Sequence, residues 1–154
     1  MRTMKKILIA AALFAASASI QAKELNEVWV NAGFMTAHYD RDADLSGENF
    51  GLGAEYRWSP QWSAVAGRFR NSDRARSNYL GVTYQPWEIG GVKLGAVVAA
   101  FNGYPFMRNG AWFPAVIPVA SLEGDRLGLN VGFIPSYKNR LYGGISFQLK
   151  LKVN

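Results

Sequence analysis

Between Phe50 and Trp58 the chain alternates strictly with period two: Phe50, Leu52, Ala54, Tyr56 and Trp58 stand at even positions against Gly51, Gly53, Glu55 and Arg57 at odd ones. Successive side chains of a strand point to opposite faces, so this stretch predicts a strand with one apolar face. The segment Leu141–Val153 alternates over a longer span, with Leu141, Ile145, Phe147, Leu149, Leu151 and Val153 opposing Ser146, Gln148, Lys150 and Lys152. A strand at an aqueous edge would not tolerate an apolar face of that length. Reading the rest of the chain by the same rule gives eight strands, near 28–38, 50–58, 62–71, 77–86, 92–101, 112–122, 126–134 and 140–153.

Several of these strands reach the ~9–11 residues that a tilted membrane-spanning strand requires. Their connections alternate: Ser59-Pro60-Gln61, Trp87 to Gly91 and Glu123-Gly124-Asp125 are tight, whereas 39–49, 72–76 and 102–111 are longer. Short turns at one end and long loops at the other are the pattern of an outer-membrane barrel. The fold class expected is therefore all-β, an eight-stranded antiparallel transmembrane β-barrel of outer-membrane type. Trp29, Trp58, Trp62, Trp87 and Trp112 fall near strand ends and are expected in interface girdles, with the indole body in lipid and its N–H among headgroups. A water-soluble eight-stranded barrel or sandwich, with these rings in its core, is the alternative; a soluble lipid-carrying barrel in the periplasm would need the long apolar face of the last strand buried against protein.

The first residues fit that destination. Arg2, Lys5 and Lys6 precede the apolar run Ile7–Ala16, as in a secretory leader, and cleavage after Ala22 leaves Lys23–Asn154 as one barrel domain. Of 17 Lys+Arg and 11 Asp+Glu in the chain, the leader takes three cations, leaving 14 against 11, or +3. Nucleic acid thereby loses its main support as a partner. No later segment approaches the ~18 consecutive apolar residues of a membrane helix. Without cysteine and with a single histidine, His38, the chain has no thiolate chemistry and no His-rich metal site. Asp40, Asp42 and Asp44 alternate in one loop, but Gly47 and Glu48 do not complete an EF-hand, so neither metal nor cofactor is expected.

Pro114 and Pro118 lie inside the sixth strand and Pro135 follows the seventh. Proline cannot donate to a ladder, so these positions mark either a bent or bulged strand or a lateral gap in the wall. The block Trp112-Phe113-Pro114-Ala115-Val116-Ile117-Pro118-Val119-Ala120-Ser121, followed by Leu127–Phe133 and Ile134-Pro135, resembles the lipid A palmitoyltransferases of the PagP type. That family carries a proline-apolar-proline strand ending in Leu-Ala-Ser and then a strand ending in Ile-Pro, with the interval that separates Pro118 from Pro135. Phe69-Arg70-Asn71-Ser72 lines up with its Phe-Lys-Asp-Ser, Leu94-Gly95 with its Leu-Gly, and Phe147-Gln148 with its closing strand.

The resemblance implies a monomeric outer-membrane enzyme that moves a palmitoyl or similar chain from the sn-1 position of a phospholipid to a hydroxyacyl chain of lipid A. It implies that Pro118 and Pro135 gate the entry of the acyl chain into the barrel, and that Thr83 floors the acyl well. The chain departs from the family at the acidic position, which is Asn71, and at the histidine, which a gap-free reading places on Asn31. The topology offers a substitute, because His38 and Asp40 reach the same rim as Ser72 and Asp73. Neutral imidazole can remove a hydroxyl proton at physiological pH, Ser72 can serve as nucleophile or oxyanion donor, and Asp73 can orient the ring. The catalytic candidates are thus His38, Ser72, Asp73 and Asn71.

Arg68, Arg70, Arg74, Arg76 and Arg108 surround that rim, and arginine forks suit phosphate. Arg70 and Arg108 are candidate ligands of phosphorylated lipid A, although rim arginines also anchor any barrel among anionic headgroups. Tyr104-Pro105 and Ser136-Tyr137 lie in outer loops, where Tyr137 is a further substrate-binding candidate and turn formation is the simpler account. Ser121 falls near the inner end of its strand and is expected to be structural. The competing function is a noncatalytic outer-membrane barrel with a structural or adhesion role.

Overall fold

The computed structural model describes residues 25–41, 44–138 and 140–154; the expected leader, residues 1–22, lies outside them. Eight strands form a closed antiparallel barrel: β1 (Glu27–His38), β2 (Glu48–Arg57), β3 (Trp62–Arg70), β4 (Arg76–Ile89), β5 (Val92–Phe101), β6 (Phe113–Glu123), β7 (Leu127–Ile134) and β8 (Gly144–Lys152). Each pairs with its neighbours in sequence, and β8 closes on β1 from Trp29↔Lys152 to His38↔Gly144. Closure leaves no free edge, as a spanning sheet requires.

Two boundaries differ from the sequence expectation by three residues or more. β4 continues to Ile89, so the turn into β5 shrinks to Gly90-Gly91, with φ of 59° and 80°. Two consecutive left-handed residues suit a tight hairpin whose twist matches its strands, and only glycine adopts them without strain. β8 starts at Gly144 rather than near 140, because Tyr137 and Leu141 form a bridge of their own within the preceding loop.

The distribution of side chains is inverted relative to a soluble protein. Leu127 is 71% exposed and Phe50 69%, and Leu52, Leu80, Val116 and Leu149 also face outward. Inside lie Glu55, Arg57, Gln85 and Lys150, all buried. A soluble chain would have to cover such an apolar exterior. Hydrocarbon covers it without further protein, and this is the arrangement of a transmembrane barrel. Trp58, Trp62, Trp87 and Trp112 meet the girdle expectation: Trp62 stacks between Trp58 (6.5 Å) and Tyr84 (4.2 Å), while Trp87 and Trp112 are exposed.

Trp29 does not. It is 1% exposed, inside the barrel, with Lys150 Nζ 4.7 Å and Lys152 Nζ 5.2 Å from its ring. Those cations are attracted to the ring face. They belong to a network that closes the end where the termini lie. Arg57 donates to both oxygens of Glu123 (2.5 and 2.6 Å) and to Glu55 (2.8 Å). Lys150 joins Glu55 (3.1 Å) and Glu123, and Lys93 reaches Glu123 (3.1 Å). Burying such charges is tolerable only when they are mutually neutralised and hydrogen-bonded, as here.

One irregularity sets the other end. The register of β1 shifts between Ala32 and Phe34 on the β2 side and between Ala32 and Met35 on the β8 side. Below this bulge Trp29 and Asn31 face inward; above it Phe34 and Thr36 do, and Met35 is exposed. The inserted residue reverses the parity of the strand. Without it, His38 would point at lipid.

Candidate active site at the barrel rim

Ser72 sits in the turn between β3 and β4. The turn is organised by Asn71, whose side chain is 0% exposed and uses both ends. Its Oδ1 accepts from the N–H groups of Asp73 (3.0 Å) and Ala75 (3.0 Å), while Nδ2 donates to Ser77 Oγ (2.9 Å) and to the carbonyl of Gly103 (2.9 Å). The last contact ties the turn to the 102–112 loop, and it depends on Gly103: a Cβ there would lie 1.9 Å from the Arg76 carbonyl. From the other side, Ser46 N–H donates to the Ser72 carbonyl (3.0 Å). The serine is therefore held from three directions.

His38 closes the arrangement. Its Nε2 lies 2.6 Å from Ser72 Oγ, a hydrogen bond between side chains 34 positions apart. This is the geometry in which imidazole can take the hydroxyl proton. The carboxyl of Asp73 is near enough for its charge to act on the ring, though the two share no hydrogen bond. Partial burial raises the Asp73 pKa, and His38 opposes the rise. Tyr104, half-buried within reach of the Asp73 charge, is also raised, by desolvation first and then by that charge, so its hydroxyl stays protonated and able to donate.

Below the pair lies an apolar cavity of about 150 Å³, which Ser72 helps to line. Its walls are aromatic, with Phe34–Phe69 at 5.6 Å, Tyr104–Phe113 at 5.7 Å and Phe101–Phe113 at 6.2 Å between ring centres. Thr83, buried, lines it deeper in the barrel, beside Gln85, which donates to Ser121 Oγ (2.8 Å). Ser121 in turn donates to Asn130 (2.7 Å), the structural role expected of it.

Beside the cavity the ladder between β6 and β7 is incomplete. β6 pairs with β5 along its whole upper half, from Ala96↔Pro118 to Phe101↔Phe113. With β7 it pairs only from Val119↔Gly132 down to Glu123↔Gly128. Pro118 is the first β6 residue above that seam, and Pro135 follows β7 directly. Ala115 and Ile117 of β6 and Ile134 and Pro135 beyond the seam all line the cavity, so the unpaired stretch borders it on both sides. The missing ladder pairs above Val119 fit the gap reading of the prolines.

Ser72, Thr83 and Pro135 thus line one cavity, and His38 and Asp73 adjoin it through Ser72 without lining it. Others do not join it. Asn71 engages both ends of its side chain with Asp73, Ala75, Ser77 and Gly103, and so positions the turn. Arg70 is exposed and donates to the Arg74 carbonyl (3.3 Å), and Tyr137 is exposed under Lys138. Arg108 lies on the rim above the seam, next to Arg140, a residue the sequence reading had not singled out. Among the described residues no cluster of His, Asp and Glu could hold a metal.

No family model matches the chain, and no curated protein does. Among solved structures it is similar to a de novo designed protein, TMB2.3, determined by solution NMR: 16% identity, TM-score 0.61, covering 88% of this chain and 99% of the designed one. At that identity the likeness concerns the fold, a transmembrane β-barrel of eight strands.

Proposed function

We propose that this chain is an outer-membrane acyltransferase that moves an acyl chain from a phospholipid to lipid A, as the PagP-type resemblance implies. The observation that carries the reading is the 2.6 Å hydrogen bond between His38 Nε2 and Ser72 Oγ at the mouth of an apolar cavity. His38 takes the Ser72 proton as Oγ attacks the ester carbonyl; the ester C–O bond breaks, and the imidazolium returns the proton to the departing lysolipid oxygen. A lipid A hydroxyl, deprotonated by His38, then attacks the acyl-serine; the acyl–Oγ bond breaks, and the imidazolium returns the proton to Ser72 Oγ. The seam at Pro118 and Pro135 admits the chain from the outer leaflet. At about 150 Å³ the cavity matches engineered voids that hold a molecule of benzene size, so the transferred chain is shorter than palmitoyl unless the aromatic wall repacks. Export through the 1–22 leader and monomeric action without cofactor belong to the same proposal.

The second reading, a noncatalytic barrel, draws on Asn71 at the family's acidic position and on the absence of a hydrogen bond from Asp73 to His38. Mass spectrometry of lipid A from cells with and without the gene separates the two. The transferase adds one acyl-chain mass, and both His38→Ala and Ser72→Ala abolish it. An unchanged lipid A profile with the wild-type barrel folded in the membrane rejects the proposal.

A further inference from the structure

The rim arginines are not equivalent. Arg74 is paired with Asp44 (2.9 Å). Arg68 and Arg76 are exposed on β3 and β4, across the barrel from the seam. Arg108 and Arg140, by contrast, come from the loop entering β6 and the loop leaving β7, and they line one cleft of about 390 Å³ with Pro105, Phe106 and Asn109. No carboxylate lines it, and among the described residues neither guanidinium has an acidic partner; Arg108 donates only to the Trp112 carbonyl (3.1 Å). Two exposed arginines bordering one cleft without a counter-charge give it a positive surface that an anion would neutralise.

The backbone adds a second observation. Arg108 and Asn109 have φ of 50° and 55°, left-handed values that cost energy for residues with a side chain. Gly103 N–H to Gly110 carbonyl (2.9 Å) and Ala111 N–H to Arg108 carbonyl (3.1 Å) hold them there. Phe106 and Trp112 stand exposed beside the cleft, giving it an apolar border toward the seam.

We infer that this cleft binds the phosphodiester of a glycerophospholipid whose acyl chains enter the β6–β7 seam, which makes it the donor subsite of the transferase proposed above. The phosphate is placed by position: a lipid with a chain in the seam has its headgroup where the two loops meet. Arginine forks bind phosphate oxygens bidentately, which gives orientation as well as affinity.

The test uses the full chain, refolded in detergent, in native mass spectrometry with phosphatidylglycerol, with diacylglycerol of the same chains, and with lipid A. The wild-type barrel retains phosphatidylglycerol, and R108Q/R140Q lowers that occupancy by about tenfold or more, as loss of charge-assisted hydrogen bonds would. Diacylglycerol occupancy is equal in both, and R68Q/R76Q binds phosphatidylglycerol as wild type does. Heat-shifted electrophoretic mobility reports folding, and R140Q alone, which removes no protein hydrogen bond, gives a several-fold loss should the double variant fail to fold. Unchanged phosphatidylglycerol binding in R108Q/R140Q, an equal loss in R68Q/R76Q, or a loss confined to lipid A overturns the inference. Binding is read without turnover, so a barrel that transfers acyl chains but ignores these arginines removes the subsite alone. One that binds donor but never modifies lipid A removes the transferase alone.

Discussion

At the closed end of the barrel, Glu55, Arg57, Glu123 and Lys150 each meet at least one opposite charge, and Lys150 is 2% exposed. At the open end, His38, Ser72 and Asp73 share one side-chain hydrogen bond and remain half-buried. The first cluster has no capacity left over, so it can only hold the barrel shut. In the second, a base and a hydroxyl are in contact while the carboxylate and the neighbouring Tyr104 hydroxyl are uncommitted. The contrast suggests how a small barrel separates stability from chemistry: saturated polar groups where rigidity is needed, unsaturated ones where atoms must move.

The largest effect expected of breaking that contrast is functional. His38→Ala should lower acyl transfer by roughly 10²–10⁴-fold, the usual contribution of a positioned general base, while the urea midpoint of the refolded barrel stays at the wild-type value. The mirror experiment is at the other end. Glu123→Leu strips counter-charges from Arg57 and Lys150, and removing one partner of a buried ion pair costs about 3–5 kcal/mol. Urea unfolding followed by electrophoretic mobility should show that loss, with transfer per folded molecule preserved.

Asn71→Ala tests the connection between the rim and its support. It leaves buried donors and acceptors of the turn unpaired, at about 1–3 kcal/mol, and it should lower transfer as well, because Ser72 loses its fixed position. A variant that loses stability but keeps full transfer would separate Asn71 from the site. The smallest effect concerns Asp73. Its pKa is raised by burial, so its contribution to stability is complete below the ordinary carboxylate pKa of ~3.9 and is lost as pH rises through the raised value. Asp73→Asn removes that loss, and its thermal midpoint should gain on the wild type as pH is taken from acid to neutral.

The sequence made the strands legible because a membrane barrel writes its two faces into alternate positions. Phe50–Arg57 and Ile145–Lys152 lie on the strands expected, and the candidates His38, Ser72 and Asp73 come from the rim that strand direction assigned them. What escaped was anything set by a change of parity or by distant pairing. The bulge after Ala32 leaves no mark in Val28-Trp29-Val30-Asn31-Ala32, and Trp29, an indole near a strand end on the face it shares with Asn31, read as a lipid-facing ring. The Lys150–Glu55 contact joins residues 95 positions apart. Glu55 and Arg57 were legible as one polar face, but not as partners of Lys150 and Glu123. Arg140 escaped for the same reason, since only the closed barrel brings it beside Arg108.

The most direct test of the central claim is the reactivity of Ser72 itself. A fluorophosphonate bearing an alkyl chain, incubated with the refolded full chain and followed by peptide mass spectrometry, should form an adduct on Ser72. The adduct should disappear in a folded His38→Ala barrel. A folded wild-type barrel without label on Ser72, or one labelled equally without His38, would contradict the account.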